Sequence, residues 1–221
     1  MLCRYALAFF GRGLLVTGAI DPKQAAWISS AVEGRDGIFI DAGANVGFFS
    51  LLALSKMRAG IAHAFENDPR TLRCLRMTQE RGNLENLIVH GCGLGEQRAT
   101  AGLQAEKEFA WTHVNFTSAA GPFFDILPLD DFAPEFAGRR VIAMKMDVEG
   151  MELAVARGAR KLLAEHCPLV VSEAIDGNLA RYGASVRDLV AFMASLGYAA
   201  SPLEGTDDPT IVFTPETTST R

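Results

Sequence analysis

The chain has 221 residues, 49% of them hydrophobic and 21% charged, which is enough for one globular domain with a single sizeable core and excludes a disordered or fibrous class. A net charge of −5 without any block of like charges argues against broad electrostatic binding of nucleic acid and favours a small-molecule or neutral acceptor. No stretch approaches the roughly 18–20 apolar residues of a membrane-spanning helix.

The first ten residues form a short apolar stretch with one arginine, broken by Gly11-Arg12-Gly13. No small-residue cleavage site follows, so the stretch reads as a surface segment packed on the domain, not as a signal peptide. Cys3, Cys74, Cys92 and Cys167 are scattered without a CxxC pair, and His90 and His166 lie near two of them without zinc-motif spacing. Free thiols in a reducing, cytoplasmic compartment are the expectation.

Asp21-Pro22 is a helix start, a capping carboxylate followed by proline, and Gly34 to Gly37 ends that helix after residue 32. Residues 38–41 read as a short buried strand, followed by a glycine-rich turn and a helix over 46–57. A second strand over 61–65 leads to Asp68-Pro69 and a helix to about residue 81, and 87–90 is a third strand. Residues 93–131 are less regular, with Phe109, Trp111, Phe116, Phe123 and Phe124; the segment is too long for a plain loop and is expected to hold short strands or a lid. A fourth strand over 141–146 precedes helical sequence to about residue 165, broken at Gly158. A fifth strand over 169–171 and an amphipathic helix over 185–196 follow. Buried strands alternating with helices predict a parallel sheet covered on both faces. The pieces 198–201 and 210–213, joined through Pro202, Gly205 and Asp207-Asp208-Pro209, predict a closing antiparallel hairpin. The polar tail from residue 215 reads as frayed.

The segment Ile38-Phe39-Ile40-Asp41-Ala42-Gly43-Ala44-Asn45-Val46-Gly47 is a strand, a tight turn and a helix start, the ligand-binding corner of a doubly wound sheet. Gly43 permits a backbone conformation closed to other residues and close approach of a ligand, and Gly47 lets the helix pack close to the strand. The GxGxxG spacing of a dinucleotide site is missing. Asp41 would repel a pyrophosphate but suits the ammonium of a methionine moiety, which favours S-adenosylmethionine over NAD. Glu66, 19 residues after Gly47 at the end of the second strand, is placed to accept hydrogen bonds from both ribose hydroxyls. Cys92 and Leu94, in the turn after the third strand, are candidates for the base edge.

The fourth strand runs into Lys145-Met146-Asp147-Val148-Glu149-Gly150-Met151-Glu152, and the fifth into Ser172-Glu173. Asp147, Glu149 and Glu173 thus fall at strand ends facing one crevice, as base, hydroxyl-orienting group or divalent-metal site. Glu152 reads equally as a carboxylate at a helix N-terminus.

Together with Phe65-Glu66-Asn67-Asp68-Pro69 and Leu129-Asp130-Asp131-Phe132, these blocks resemble the FkbM family of methyltransferases, in order over nearly the whole chain. The Lys-x-Asp-Val-Glu-Gly-x-Glu block is the specific one. The resemblance implies an α/β, three-layer Rossmann-like class I methyltransferase fold, with a mostly parallel seven-stranded sheet and an antiparallel last strand. It implies a methyltransferase domain over residues 35–214, with an N-terminal segment and helix (1–34) packed on the core and a flexible tail (215–221). It further implies O-methylation of hydroxyls on sugars, glycolipids or polyketide-type natural products. Carried over by position, Asp41, Gly43, Asn45 and Gly47 form the methionine-side loop, Glu66 the ribose clamp, and Asp147, Glu149 and Glu173 the methyl-acceptor side; Asn67, Cys92 and Asp147 are further cofactor-binding candidates. The cofactor is then S-adenosyl-L-methionine, with S-adenosyl-L-homocysteine as product and no divalent metal required by the sequence.

A sugar hydroxyl needs its proton removed as the new bond forms. Asp147 is the first candidate for that base, Glu173 the second, and His113 an outside one. Rival readings are a nucleotide-dependent oxidoreductase, a non-catalytic binding module, and a methyltransferase with an RNA or protein acceptor. For RNA, Arg139-Arg140, Arg157, Arg160 and Lys161 would be the phosphate partners.

Overall fold

A computed structural model describes residues 20–105, 112–115, 123–206 and 208–216. The expectations for the first ten residues, Gly11-Arg12-Gly13, Cys3, Phe109, Trp111, Phe116 and the end of the tail lie outside these residues.

Helix α1 spans Pro22–Val32, and the Asp21 side chain accepts from the Gln24 N–H at 3.0 Å as the N-cap. Strand β1 (Asp36–Ala42), helix α2 (Phe48–Lys56), strand β2 (Ala59–Phe65), helix α3 (Pro69–Gly82) and strand β3 (Leu87–His90) follow. Helix α2 starts two residues later than expected, because Asn45 and Gly47 take positive φ of 51° and 89° and extend the turn.

The irregular segment holds its own sheet: β4 (Gly93–Leu94), β5 (Ala99–Ala105), β6 (Thr112–Asn115) and β7 (Phe123–Leu127), in the order β4-β7-β5-β6. Short strands were the expectation, and a four-stranded sheet is the outcome. A 3-10 helix, Leu129–Phe136, joins it to β8 (Val141–Met146). Then come α4 (Glu152–Gly158), α5 (Arg160–His166), β9 (Leu169–Glu173), α6 (Asp176–Ala180), α7 (Val186–Ser195) and the hairpin β10 (Tyr198–Pro202) and β11 (Thr210–Pro215). Strand β9 runs two residues further than expected because Thr210 and Ile211 of β11 pair with Glu173 and Ser172.

The main sheet has seven strands in the order β10-β11-β9-β8-β1-β2-β3. Its central pairs are parallel, and β11 runs antiparallel to both neighbours. All six residues of β8 are buried, as a parallel strand covered on both faces requires. On one face, Ile28 of α1, Ala53 of α2 and Leu75 of α3 pack with Phe39 and Ala62. On the other, Phe132 and Phe136 of the 3-10 helix, Val155 of α4, Leu163 of α5 and Leu189 of α7 pack with Ile38, Ile40 and Phe65. The result is the expected three-layer Rossmann-like fold, with every parallel strand delivering its carboxyl end to one edge. Asp130 holds the start of α5 by accepting from the Lys161 and Leu162 N–H groups, each at 3.0 Å.

Cysteine usage departs from expectation. Cys74 is disulfide-bonded, while Cys92 and Cys167 are free. Spacing along the chain carries no information on approach in space, and the disulfide removes the free-thiol ground for a reducing compartment. No described helix is long and apolar enough to cross a membrane.

Gly158 closes α4 as expected, but the need for glycine comes from packing. A Cβ there would sit 1.9 Å from the Gly95 carbonyl oxygen and 3.2 Å from Pro128 Cα. Both obstacles are backbone, so Gly158→Ala should lower stability by about 1–3 kcal/mol or more. Urea unfolding measures this, and an unchanged midpoint would show that the small sheet and α4 separate freely.

Candidate functional site

The site is built around a lysine. Lys145 is the fifth residue of the otherwise apolar β8 and is 2% exposed. Its partner in register on β1 is Asp41. Asp41 is fully buried; one carboxylate oxygen accepts from the Ser50 hydroxyl at 2.6 Å, and the other lies 3.6 Å from Lys145 Nζ. Nζ also donates to the Gly43 carbonyl (3.2 Å), reaches Asp147 Oδ2 (3.2 Å) and lies over the Phe49 ring. Burial disfavours the ammonium, but Asp147, Asp41 and Glu173 outweigh it and hold the pKa above its ordinary value. The positive charge that faces Asp41 in the structure is therefore Lys145 itself. Sequence reasoning missed this residue, although a lysine inside a buried strand is a signal that a partner must exist.

The loop after β1 is tied to β2. Gly43 and Ala44 N–H groups both donate to the Phe65 carbonyl. Glu66, buried at the end of β2, accepts from the Asn45 N–H and the Asp68 N–H, each at 2.7 Å. Burial pushes its carboxyl up to about 7 despite those two bonds. Asn67 is half-buried beside it, and Cys92 is buried past the end of β3, its thiol pushed up to about 11 by burial first.

Two glycine roles are corrected. Gly43 has the expected positive φ (78°), but the close approach is the Asp147 carbonyl oxygen, 1.8 Å from where a Cβ would stand. Gly47 (φ 89°) leaves room for Leu75 of α3, 2.5 Å from its would-be Cβ, and not for the preceding strand.

Asp147, Glu149 and Glu173 do come together. Asn178 of α6 places its amide nitrogen 3.4 Å from carboxylate oxygens of both Glu149 and Glu173. Glu149 sits in the left-handed region at φ 55°, a conformation that costs a non-glycine residue about 1 kcal/mol or more. Burial, then repulsion from Asp147, pushes Glu149 up to about 8 and Glu173 up to about 9. Glu152 does the structural work that its position at the helix start suggested: one oxygen accepts from the Val148 and Gly150 N–H groups, at 3.1 Å each. His113 pairs through its backbone with Gln104; its side chain lies outside the described residues.

Residues 41–200 match the family "Methyltransferase FkbM domain". The chain is 29% identical over 157 residues to "Methyltransferase 1" of Beauveria bassiana, a match covering 61% of this chain and 62% of that protein. A crystal structure of Methyltransferase FkbM from Methylobacillus flagellatus superposes with a TM-score of 0.56 at 22% identity, covering 80% of this chain and 43% of that one. The chain thus spans less than two thirds of the length of either. An O-methyltransferase from Bacillus cereus in complex with SAH superposes with a TM-score of 0.54 at 14% identity, covering 96% and 90%.

Replacing Lys145 by Met should cost about 3–5 kcal/mol, because Asp41 is left buried without its cation. Adding Asp41→Asn should restore part of that in urea unfolding, and a fully stable Lys145→Met single variant would show that the ammonium holds nothing together. The raised carboxyls give a second test. Glu149 and Glu173 bind protons in the folded state at pH values where the unfolded chain has lost them, so ligand-free stability must fall as pH rises from 7 to about 9. The buried His63 and His90, pulled down to about 4 by burial, act only below this window. Glu173→Gln should flatten the decline in melting temperature; a wild-type profile that rises between pH 7 and 9 contradicts the raised carboxyls.

Proposed function

The chain belongs to the FkbM family of methyltransferases, and on that premise we propose that it is an S-adenosylmethionine-dependent O-methyltransferase acting on a hydroxyl of a sugar, glycolipid or natural-product acceptor. The observation that carries this reading is the pair of raised carboxyls, Glu149 and Glu173, at the strand ends beside the β1 loop.

The residues present suit that cofactor's charge. Asp41, Asp147 and Glu173 act on Lys145, and Glu149 faces Asp147 and Arg181, so the crevice holds more carboxylates than cations, repels pyrophosphate and favours a ligand that carries positive charge. This counts against a dinucleotide oxidoreductase and against an RNA acceptor. The backbone of Gly43, Asn45 and Gly47 would hold the methionine end, with Asp41 acting through Lys145 and the turn. Glu66 would take the ribose hydroxyls on its free lone pairs, with Asn67 and Cys92 toward the base. When bound, S-adenosylmethionine supplies an electrophilic methyl group on a sulfonium.

The chain's own task is to position the acceptor oxygen and remove its proton. Asp147 was the first candidate, but its carboxylate is already engaged by the Lys145 ammonium at 3.2 Å. Glu149 suits the role better. It is half-buried where Glu173 is fully buried, it is held in a strained backbone conformation, and its pKa of about 8 lies close to working pH. Positive charge bound against the cluster favours the ionised carboxylate that can accept a proton. Glu173 and Asn178 then orient it.

Methyl-labelled cofactor and a panel of sugar, glycolipid and polyketide-type hydroxyls test the proposal. Glu149→Gln should reduce turnover by roughly 10²–10⁴-fold with calorimetric cofactor affinity unchanged, whereas Glu66→Ala should weaken that affinity. Near-full turnover by Glu149→Gln removes it as the base, and product analysis placing the methyl on nitrogen or carbon overturns O-transfer.

A further inference from the structure

On the sheet face covered by the 3-10 helix, away from the carboxylate cluster, two imidazoles meet edge to edge. His63 Nδ1 on β2 and His90 Nε2 at the end of β3 are 3.0 Å apart. Their ring centroids are 5.2 Å apart, with the planes 13° from parallel. The difference between those two distances is taken up by the ring radii, so both nitrogens lie near the line joining the rings. The contact is an in-plane one, not a face-to-face stack. Glu135 of the 3-10 helix brings Oε2 to 3.9 Å from the same His90 nitrogen, and the three donor atoms all lie within 4.8 Å of one another.

We propose that His63, His90 and Glu135 form a binding site for a divalent transition ion of the zinc class. The donor set is two imidazole nitrogens and one carboxylate, which suits zinc or cobalt and not magnesium or calcium, whose sites are built from oxygens. Donors bound at about 2.0–2.2 Å around one tetrahedral ion stand roughly 3.3–3.6 Å apart. The histidine pair, at 3.0 Å, must open by a few tenths of an ångström, and Glu135, about half exposed, must move in from 3.9 Å on His90 within a set that spans up to 4.8 Å.

The surroundings support the set. The two histidines are anchored on adjacent strands of the central sheet, with His90 in register with Phe65. Phe65 lies parallel to His90 at 4.4 Å, while Phe132 and Phe136 meet His90 and His63 edge-on at 4.9 and 5.1 Å. These rings limit solvent access, as an apolar shell does around a metal centre. Glu135 opens the entry path. In the ion-free protein one hydrogen lies between the two nitrogens. Binding shifts that hydrogen to the other nitrogen of its own neutral ring and tilts the rings so that both lone pairs face the ion, with water completing the coordination. The bound ion would pin β3 and the 3-10 helix to β2, a structural role independent of methyl transfer.

The test uses the full chain stripped with chelator and titrated with zinc and with cobalt. One equivalent should bind, cobalt should show the visible absorption of a low-coordinate nitrogen–oxygen site, and the melting temperature should rise with zinc concentration. Glu135→Gln, a change at an exposed position, and His90→Gln should each weaken binding by at least about tenfold. Absence of saturable binding overturns the site, as does binding equal to wild type in both variants. Loss of binding in Glu149→Gln or Glu173→Gln instead would move the ion to the acidic cluster and overturn it equally.

Discussion

A buried ammonium organises the carboxyl edge of this sheet. Lys145 is the fifth of six residues in a strand whose other residues are apolar and buried, where an unpaired charge would cost several kcal/mol. It stays charged because Asp41, Asp147 and the Gly43 carbonyl converge on it from β1, the loop after β8 and the glycine turn. One cation thus fixes three segments relative to each other. The same contact explains why position 43 must be glycine: the Asp147 carbonyl stands where a side chain would go. The loop after β1 is therefore shaped first by the protein's own backbone, through the way β1 and β8 close on each other.

Much of the scaffold is legible in the sequence because it rests on strong local signals. Asp21-Pro22 and Asp68-Pro69 start helices as read, and Val141 to Met146, Leu87 to His90 and the closing hairpin fall where apolar runs and turns place them. What escapes is decided by contacts between distant segments. The small sheet of β4 to β7 has no distinctive periodicity, since two of its strands are two and four residues long. The extension of β9 depends on pairing with β11.

The site divides along the same line. Strand ends are predictable, so Asp147, Glu149 and Glu173 are found together as the alternation of strands and helices implies. Their individual roles are not predictable, because these depend on neighbours 20 to 30 residues away, such as Asn178 at 29 positions from Glu149. His63 and His90 show the same limit. They are 27 positions apart with no motif spacing, and only the register of β2 against β3 brings them into contact.

The charge balance of the crevice links these features to selectivity. Lys145 and Arg181 do not neutralise Asp41, Asp147, Glu149 and Glu173, and burial together with this surplus negative charge makes Glu149 and Glu173 hold their protons to about 8 and 9. A site in that state is destabilised by its own repulsion and relaxes when positive charge arrives. Cation binding and deprotonation of Glu149 are then thermodynamically linked: whichever occurs first makes the other easier. In the role proposed for Glu149, a bound cation raises the share of ionised carboxylate that can accept a proton. This coupling, more than any single carboxylate, is what the arrangement of Lys145 among its acidic neighbours provides.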